Sequence, residues 1–194
     1  MSFQAHYLSS LKRHQTIFET LDKHAQDLVT LYQRCAESVQ NGGKLIFCGN
    51  GGSAADSQHL AAEFMVRYKA ERAPIRAIAL TTDTSILTAH SNDYSFDSVF
   101  ARQVQGLADA NDIVIGLSTS GNSPNVNLAL NAANELGAYS VAFTGRDGGK
   151  VKDIAAQSII INCDETARIQ EAHLFMGHWL CEAFDHALEQ KASH

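Results

Sequence analysis

The chain has 194 residues, enough for one domain with a well-buried core. Its formal net charge of −6 disfavours nonspecific binding to nucleic acid or to an anionic membrane surface. No stretch approaches the ~18 apolar residues of a membrane span. The N-terminal MSFQAHYLSSLKRH lacks the apolar centre of a signal peptide, so a cytoplasmic protein with neither a nucleic-acid nor a membrane partner is expected.

Apolar residues at Tyr7, Leu8, Leu11, Ile17, Phe18 and Leu21 recur close to helical spacing and predict a helix over 4–22. Leu28, Leu31, Tyr32 and Cys35 predict a second over 25–40, which NGG at 41–43 ends. KLIFCG (44–49) reads as a short buried strand, followed by a helix over about 53–67 and a second strand at 75–80. Helical patterns cover about 83–91 and 95–107. DIVIGLS (112–118) packs β-branched residues together and is the clearest strand in the chain. A helix over 125–137, strands at 138–145 and 158–163, and a last helix over about 166–190 complete the pattern.

Strands that alternate with helices imply right-handed crossovers and a parallel sheet covered on both faces. The expected fold is therefore a single α/β domain spanning 1–194. It is a doubly wound three-layer α/β/α sandwich of about five parallel strands, with an N-terminal helical pair (1–42) outside it. With only two prolines, a long flexible linker is not expected. Cys35, Cys48, Cys163 and Cys181 show no CxxC pairing and read as reduced, mostly buried thiols.

In such sheets ligands bind beyond the carboxyl ends of the strands, and two loops lie there. GLSTSGNSPN (116–125) places the hydroxyls of Ser118, Thr119, Ser120 and Ser123 around Gly121. Ser123 followed by Pro124 matches an N-cap and a first helical residue. Free amides at that helix start, with the hydroxyls, make a phosphate site that needs no lysine, although a polar loop with a capping serine has the same pattern. GNGGS (49–53) has glycines that permit close approach of a ligand to backbone, and Ser53 is expected to cap the next helix with Asp56 three residues on. The loop is neither GxGxxG nor a Walker loop, so no dinucleotide or nucleoside triphosphate is indicated.

His59 and Glu63, four residues apart, share a helix face: a metal ligand beside a carboxylate base, or a surface pair. On the last helix Gln170 and His178 differ by roughly 80° and can face one site, with His173 near the edge of that face. From spacing alone His173 and His186 read as packing or surface histidines, and Trp179, Leu180 and Phe184 as core or subunit contacts.

GNGGSAADSQH, STSGNS, TGRDGG and ARIQEAH together resemble the sugar isomerase (SIS) family, and within it the branch that isomerises phosphoheptoses. The likeness spans nearly the whole chain. STSGNS alone indicates a phosphosugar-binding SIS domain; its combination with QHxxxE and RIQExHxxxxH is much more specific. The resemblance implies an aldose–ketose isomerisation of D-sedoheptulose 7-phosphate to D-glycero-D-manno-heptose 7-phosphate through an enediol, the first step toward the heptose precursor of lipopolysaccharide core. Glu63 would be the base and His178 the acid. One Zn2+ per subunit would be held by His59, Glu63, Gln170 and His178. Ser118, Thr119, Ser120 and Ser123 would hold the phosphate, while Gly51, Gly52 and Ser53, with Glu63 and Gln170, approach the sugar and Asn92 and Asp93 contact its hydroxyls. A homotetramer with active sites near subunit contacts is implied too, the N-terminal helices packing on neighbouring subunits. Whether zinc polarises the carbonyl or holds the geometry stays open.

One position departs from some members of the family. Ala167 stands where others carry an aspartate just before RIQE, so a polar contact to the sugar is missing or comes from elsewhere. The alternative is a non-catalytic SIS protein that binds the replication initiator DnaA. Such relatives keep the frame but lose the base or the acid, and here both Glu63 and His178 are present in register.

Overall fold

The computed structural model describes residues 1–192; the last two positions of the expected domain lie outside the described residues. Five strands form one sheet in the order β2-β1-β3-β4-β5: β1 (Leu45–Gly49), β2 (Ala77–Ala79), β3 (Ile113–Ser118), β4 (Tyr139–Gly145) and β5 (Gln157–Ile161). Every neighbouring pair is parallel. The edge strand β2 is shorter than 75–80 because Ile75 N–H donates to the Phe64 carbonyl, not to a strand.

Side chains alternate across the sheet, and so do the two cores. Leu45, Phe47, Ile113, Ile115, Leu117, Val141 and Phe143 face one layer. That layer is built from α2 (Ala25–Gln40), α3 (Gly52–Met65) and α7 (Thr166–Ala192). Ile46, Cys48, Val114 and Ala142 face the other, where α5 (Val99–Leu107) and α6 (Pro124–Glu135) pack. α4 (Thr84–Asp93) lies at the edge of that second layer.

The N-terminal pair divides. α2 belongs to the first layer, with Leu31 and Cys35 wholly buried. α1 (Phe3–Phe18) buries none of its residues. It rests on α7 through His14–Glu171 (2.8 Å) and the edge of Phe18 on Phe175, and on the residue just before α7 through Arg13–Glu165 (2.9 Å). All four cysteines are free, and three are buried. No described helix is long and apolar enough to cross a membrane.

Candidate active site

The chain leaves β1 toward β2 on one side, while β3 lies on the other, so the loops after β1 and β3 part at the carboxyl edge and open a crevice. A cavity of about 290 Å³ lies there, lined by Asn50, Gly51, Gly52, Ser53, Leu117, Ser118, Thr119, Ser123, Thr166 and Gln170. Three helices begin at it: α3 through Gly52 and Ser53, α6 through Ser123, and α7 through Thr166. Each helix start carries partial positive charge and unpaired N–H groups. Among the described residues no lysine or arginine lines this cavity, so an anion here would be held by amides and hydroxyls.

The helix starts are built differently from the sequence-based expectation. Gly51, at φ 56 and ψ −119, makes a turn open mainly to glycine, and the N-cap is Gly51 without a side-chain bond. Ser53 therefore falls inside the first turn, and the expected capping box with Asp56 does not form. Ser123 does occupy the N-cap of α6 with Pro124 next, but its hydroxyl shares a hydrogen bond with Ser118 Oγ (3.0 Å), and the Val126 N–H is taken by Asn125 Oδ1 (3.0 Å) instead. Ser120 lies off the cavity lining, its Oγ accepting from Asn122 N–H (3.2 Å).

The two loops are tied together. Asn50 and Asn125 exchange amide hydrogen bonds of 2.8 and 2.9 Å. Behind the β3 loop, Val151 N–H donates to Gly121 O (2.9 Å) and Lys150 N–H to Asn122 Oδ1 (3.2 Å), so the residues directly after TGRDGG brace it.

The second group of side chains lies where α3 meets α7. His59 Nε2 and His178 Nε2 stand 2.7 Å apart, and Glu63 Oε1 is 3.7 Å from His59. One imidazole must donate and the other accept, so both cannot be protonated. Burial, with His59 next, holds His178 below its ordinary value. Asp56, half-buried beside both histidines, is raised by burial, and its Oδ2 has no partner. Gln170 spans the two groups: a Cβ on Gly52 would lie 2.5 Å from its Nε2. His59, Glu63 and His178 lie off the cavity lining itself.

Two expected sugar contacts, Asn92 and Asp93, sit elsewhere, and His173 is the packing histidine that its spacing suggests. His173 points away from the site, wholly buried, with Nε2 on the Thr144 carbonyl (3.1 Å). The cause is rotation: relative to Gln170 it lies about −60° around the helix and His178 about +80°, roughly 140° apart. Asn92 and Asp93 end α4, exposed and bonded to each other (2.8 Å), and do not line the cavity. Conversely, Asn50, Leu117, Thr166 and Asn125 were not singled out from sequence. Asn50 lies within GNGGS, and Thr166 directly precedes Ala167, so both neighbour positions with a local signal.

For a metal, the donor set of His59, Glu63, Gln170 and His178 supplies nitrogen and oxygen, which suits zinc. Among the described residues no three His, Cys, Asp or Glu side chains are gathered closely enough to hold an ion. The two Nε2 atoms are closer than the ~3.3 Å that separates ligands on a tetrahedral zinc, so binding would part the rings by roughly 0.6 Å. His59, 45% exposed at its side chain, has room to move. The set fits the ion chemically, after that adjustment.

A family model described as SIS domain matches residues 6–145. The chain belongs to the SIS domain family. Within that family it is 52% identical over 162 residues to the phosphoheptose isomerase of Aquifex aeolicus, covering 84% of this chain and 85% of that one. It is 47% identical over 186 residues to the phosphoheptose isomerase of Aliarcobacter butzleri, covering 96% and 95%. The solved phosphoheptose isomerase of Neisseria gonorrhoeae superposes with a TM-score of 0.84 at 42% identity, covering 94% of this chain and 96% of that one. The α3–α7 cluster and the hydroxyl-lined cavity thus occur in an SIS frame that extends over almost the entire chain.

Proposed function

We propose that this chain is an aldose–ketose isomerase that converts D-sedoheptulose 7-phosphate into D-glycero-D-manno-heptose 7-phosphate. The observation that carries this reading is the convergence of three helix N-termini on one hydroxyl-lined cavity, with a His–Glu–His cluster next to it. The named activity of relatives sharing about half their residues supports the substrate.

The phosphate is held by the amides of Gly52 and Ser53 and the hydroxyls of Ser118, Thr119 and Ser123, with Thr166 at the third helix start. Gln170, packed against Gly52, orients the sugar chain toward α3 and α7. Glu63 removes the proton from the carbon beside the carbonyl and returns it to the neighbouring carbon. His178, kept neutral, exchanges the proton between the two oxygens as the enediol forms and collapses. Zn2+ on His59, Glu63, Gln170 and His178, one per subunit, supplies Lewis-acid polarisation when bound. A carboxylate shared with a metal is a weaker base, so Glu63 works with the two demands in opposition.

A homotetramer belongs to the same reading. Phe3 is 96%, Tyr7 65% and Phe175 45% exposed along α1 and α7, an apolar surface that a second copy would cover. A cytoplasmic location goes with it. Incubation with sedoheptulose 7-phosphate and zinc should yield the aldose phosphate; absence of turnover would remove the assignment.

A further inference from the structure

We propose that Arg72 is a positioning residue for this reaction: with Asp185 it fixes how α3 crosses α7, and so sets the spacing between His59 and Glu63 on one helix and Gln170 and His178 on the other. The proposal rests on the isomerase reading above.

Arg72 lies outside both helices' active faces, yet its side chain is only 3% exposed, and that of Asp185 6%. Nη2 donates to the carbonyl of Glu63 itself (2.8 Å), and Nη1 to the carbonyls of Phe64 (2.8 Å) and Ala73 (3.2 Å). Nε donates to Asp185 Oδ1 (3.3 Å). Asp185 Oδ2 accepts from Lys69 N–H (2.9 Å) and Ala70 N–H (2.8 Å). One planar guanidinium thus satisfies two of the last carbonyls of α3, including that of the proposed base, and binds them to α7 two turns past His178.

The other end of the crossing is set by contact. Gly177, next to His178, packs on Leu60, next to His59; a Cβ on Gly177 would lie 2.6 Å from the Leu60 methyls. Gln170 against Gly52 and the edge of Phe64 on Phe184 (ring centroids 5.7 Å apart) add further packing between the two helices, but packing without directional bonds still lets them shift against each other. A second tie, two turns away, removes that freedom. The His59–His178 approach of 2.7 Å depends on both.

Lysine keeps the charge but offers one ammonium where the guanidinium offers a flat fork, so it cannot reach Glu63 O, Phe64 O and Asp185 together. In Arg72→Lys, kcat with sedoheptulose 7-phosphate should fall by about 30- to 100-fold, while KM and the affinity for inorganic phosphate stay within about twofold, because a misplacement near 1 Å costs on that order. The imidazole NMR resonances of His59 and His178 should shift and those of His24 should not. The double variant Arg72→Met/Asp185→Leu, which leaves no unpaired charge in the core, should fold cooperatively and show the same kcat loss. An unchanged kcat in either folded variant, unmoved His59 and His178 resonances, or an activity loss that only tracks the unfolded fraction overturns the proposal. If the wild-type protein itself fails to turn over the substrate, the isomerase reading falls, and the imidazole resonances still decide whether Arg72 sets the helix crossing.

Discussion

Glu63 is 3.7 Å from His59 and sits one turn along the same helix, which makes its carboxylate the group to remove first. Glu63→Gln keeps the shape and removes the proposed base: kcat should drop by roughly 10²–10⁴ while inorganic phosphate still binds, since the proposed phosphate contacts lie on other residues. Near-normal kcat would dismiss Glu63 as the base. Thr166 lines the cavity at the start of α7, one position before Ala167. Thr166→Val should raise KM about fivefold with kcat little changed, the loss expected for one neutral hydrogen bond. His173 makes a different prediction. Burial, only partly offset by the Thr144 carbonyl, lowers it from 6.5 to about 4. Between those values the unfolded chain takes up a proton that the folded chain does not. Stability should therefore fall by up to about 1.4 kcal/mol per pH unit as pH drops from 6.5 toward 4, and this contribution should level off below. His173→Gln should flatten that limb in urea-midpoint measurements; an unchanged pH slope would show that other groups dominate it.

At the scale of elements, the proposed phosphate loop depends on backbone that only glycine allows. Gly121 has φ +66, and a Cβ there would collide with the Gly148 carbonyl and meet Thr144 Oγ1 at 2.9 Å. Gly121→Ala should cost about 1–3 kcal/mol of stability, and the displaced 118–123 loop should bind inorganic phosphate much more weakly in calorimetry. Retained phosphate affinity would mean the loop is not the anion site. STSGNS reads as a turn that opens a helix because hydroxyls, a glycine and Ser-Pro are local signals. The start of α3 is not legible in the same way. Whether Ser53 or Gly51 caps that helix turns on the φ of Gly51, which nothing in GNGGS states. The Asn50–Asn125 exchange joins residues 75 apart in sequence.

The whole molecule leaves α1 without a buried residue and with Tyr7 and Leu8 more than half exposed. A surface of that kind is covered in an assembly or makes the protein sticky. Wild-type protein should sediment as a tetramer. Tyr7→Glu/Leu8→Glu should sediment as a smaller species with unchanged circular dichroism, because neither side chain belongs to the core of the single chain. A wild-type monomer would remove the tetramer from the proposed function.

Periodicity alone determined the alternation of strands and helices, the parallel sheet and the two loops at its carboxyl edge, because hydrophobic spacing and turn chemistry are written locally. Spacing alone left His59–Glu63 open between a surface pair and a site, and left His173 near the same face as His178. The packing of α3 on α7 brought His59 within 2.7 Å of His178 and turned His173 into the core. Only the tertiary structure could show that three helices start at one cavity, or that Arg72 reaches from the end of α3 to Asp185 on α7. Those relations depend on how helices cross, and a crossing is set by side chains more than a hundred residues apart.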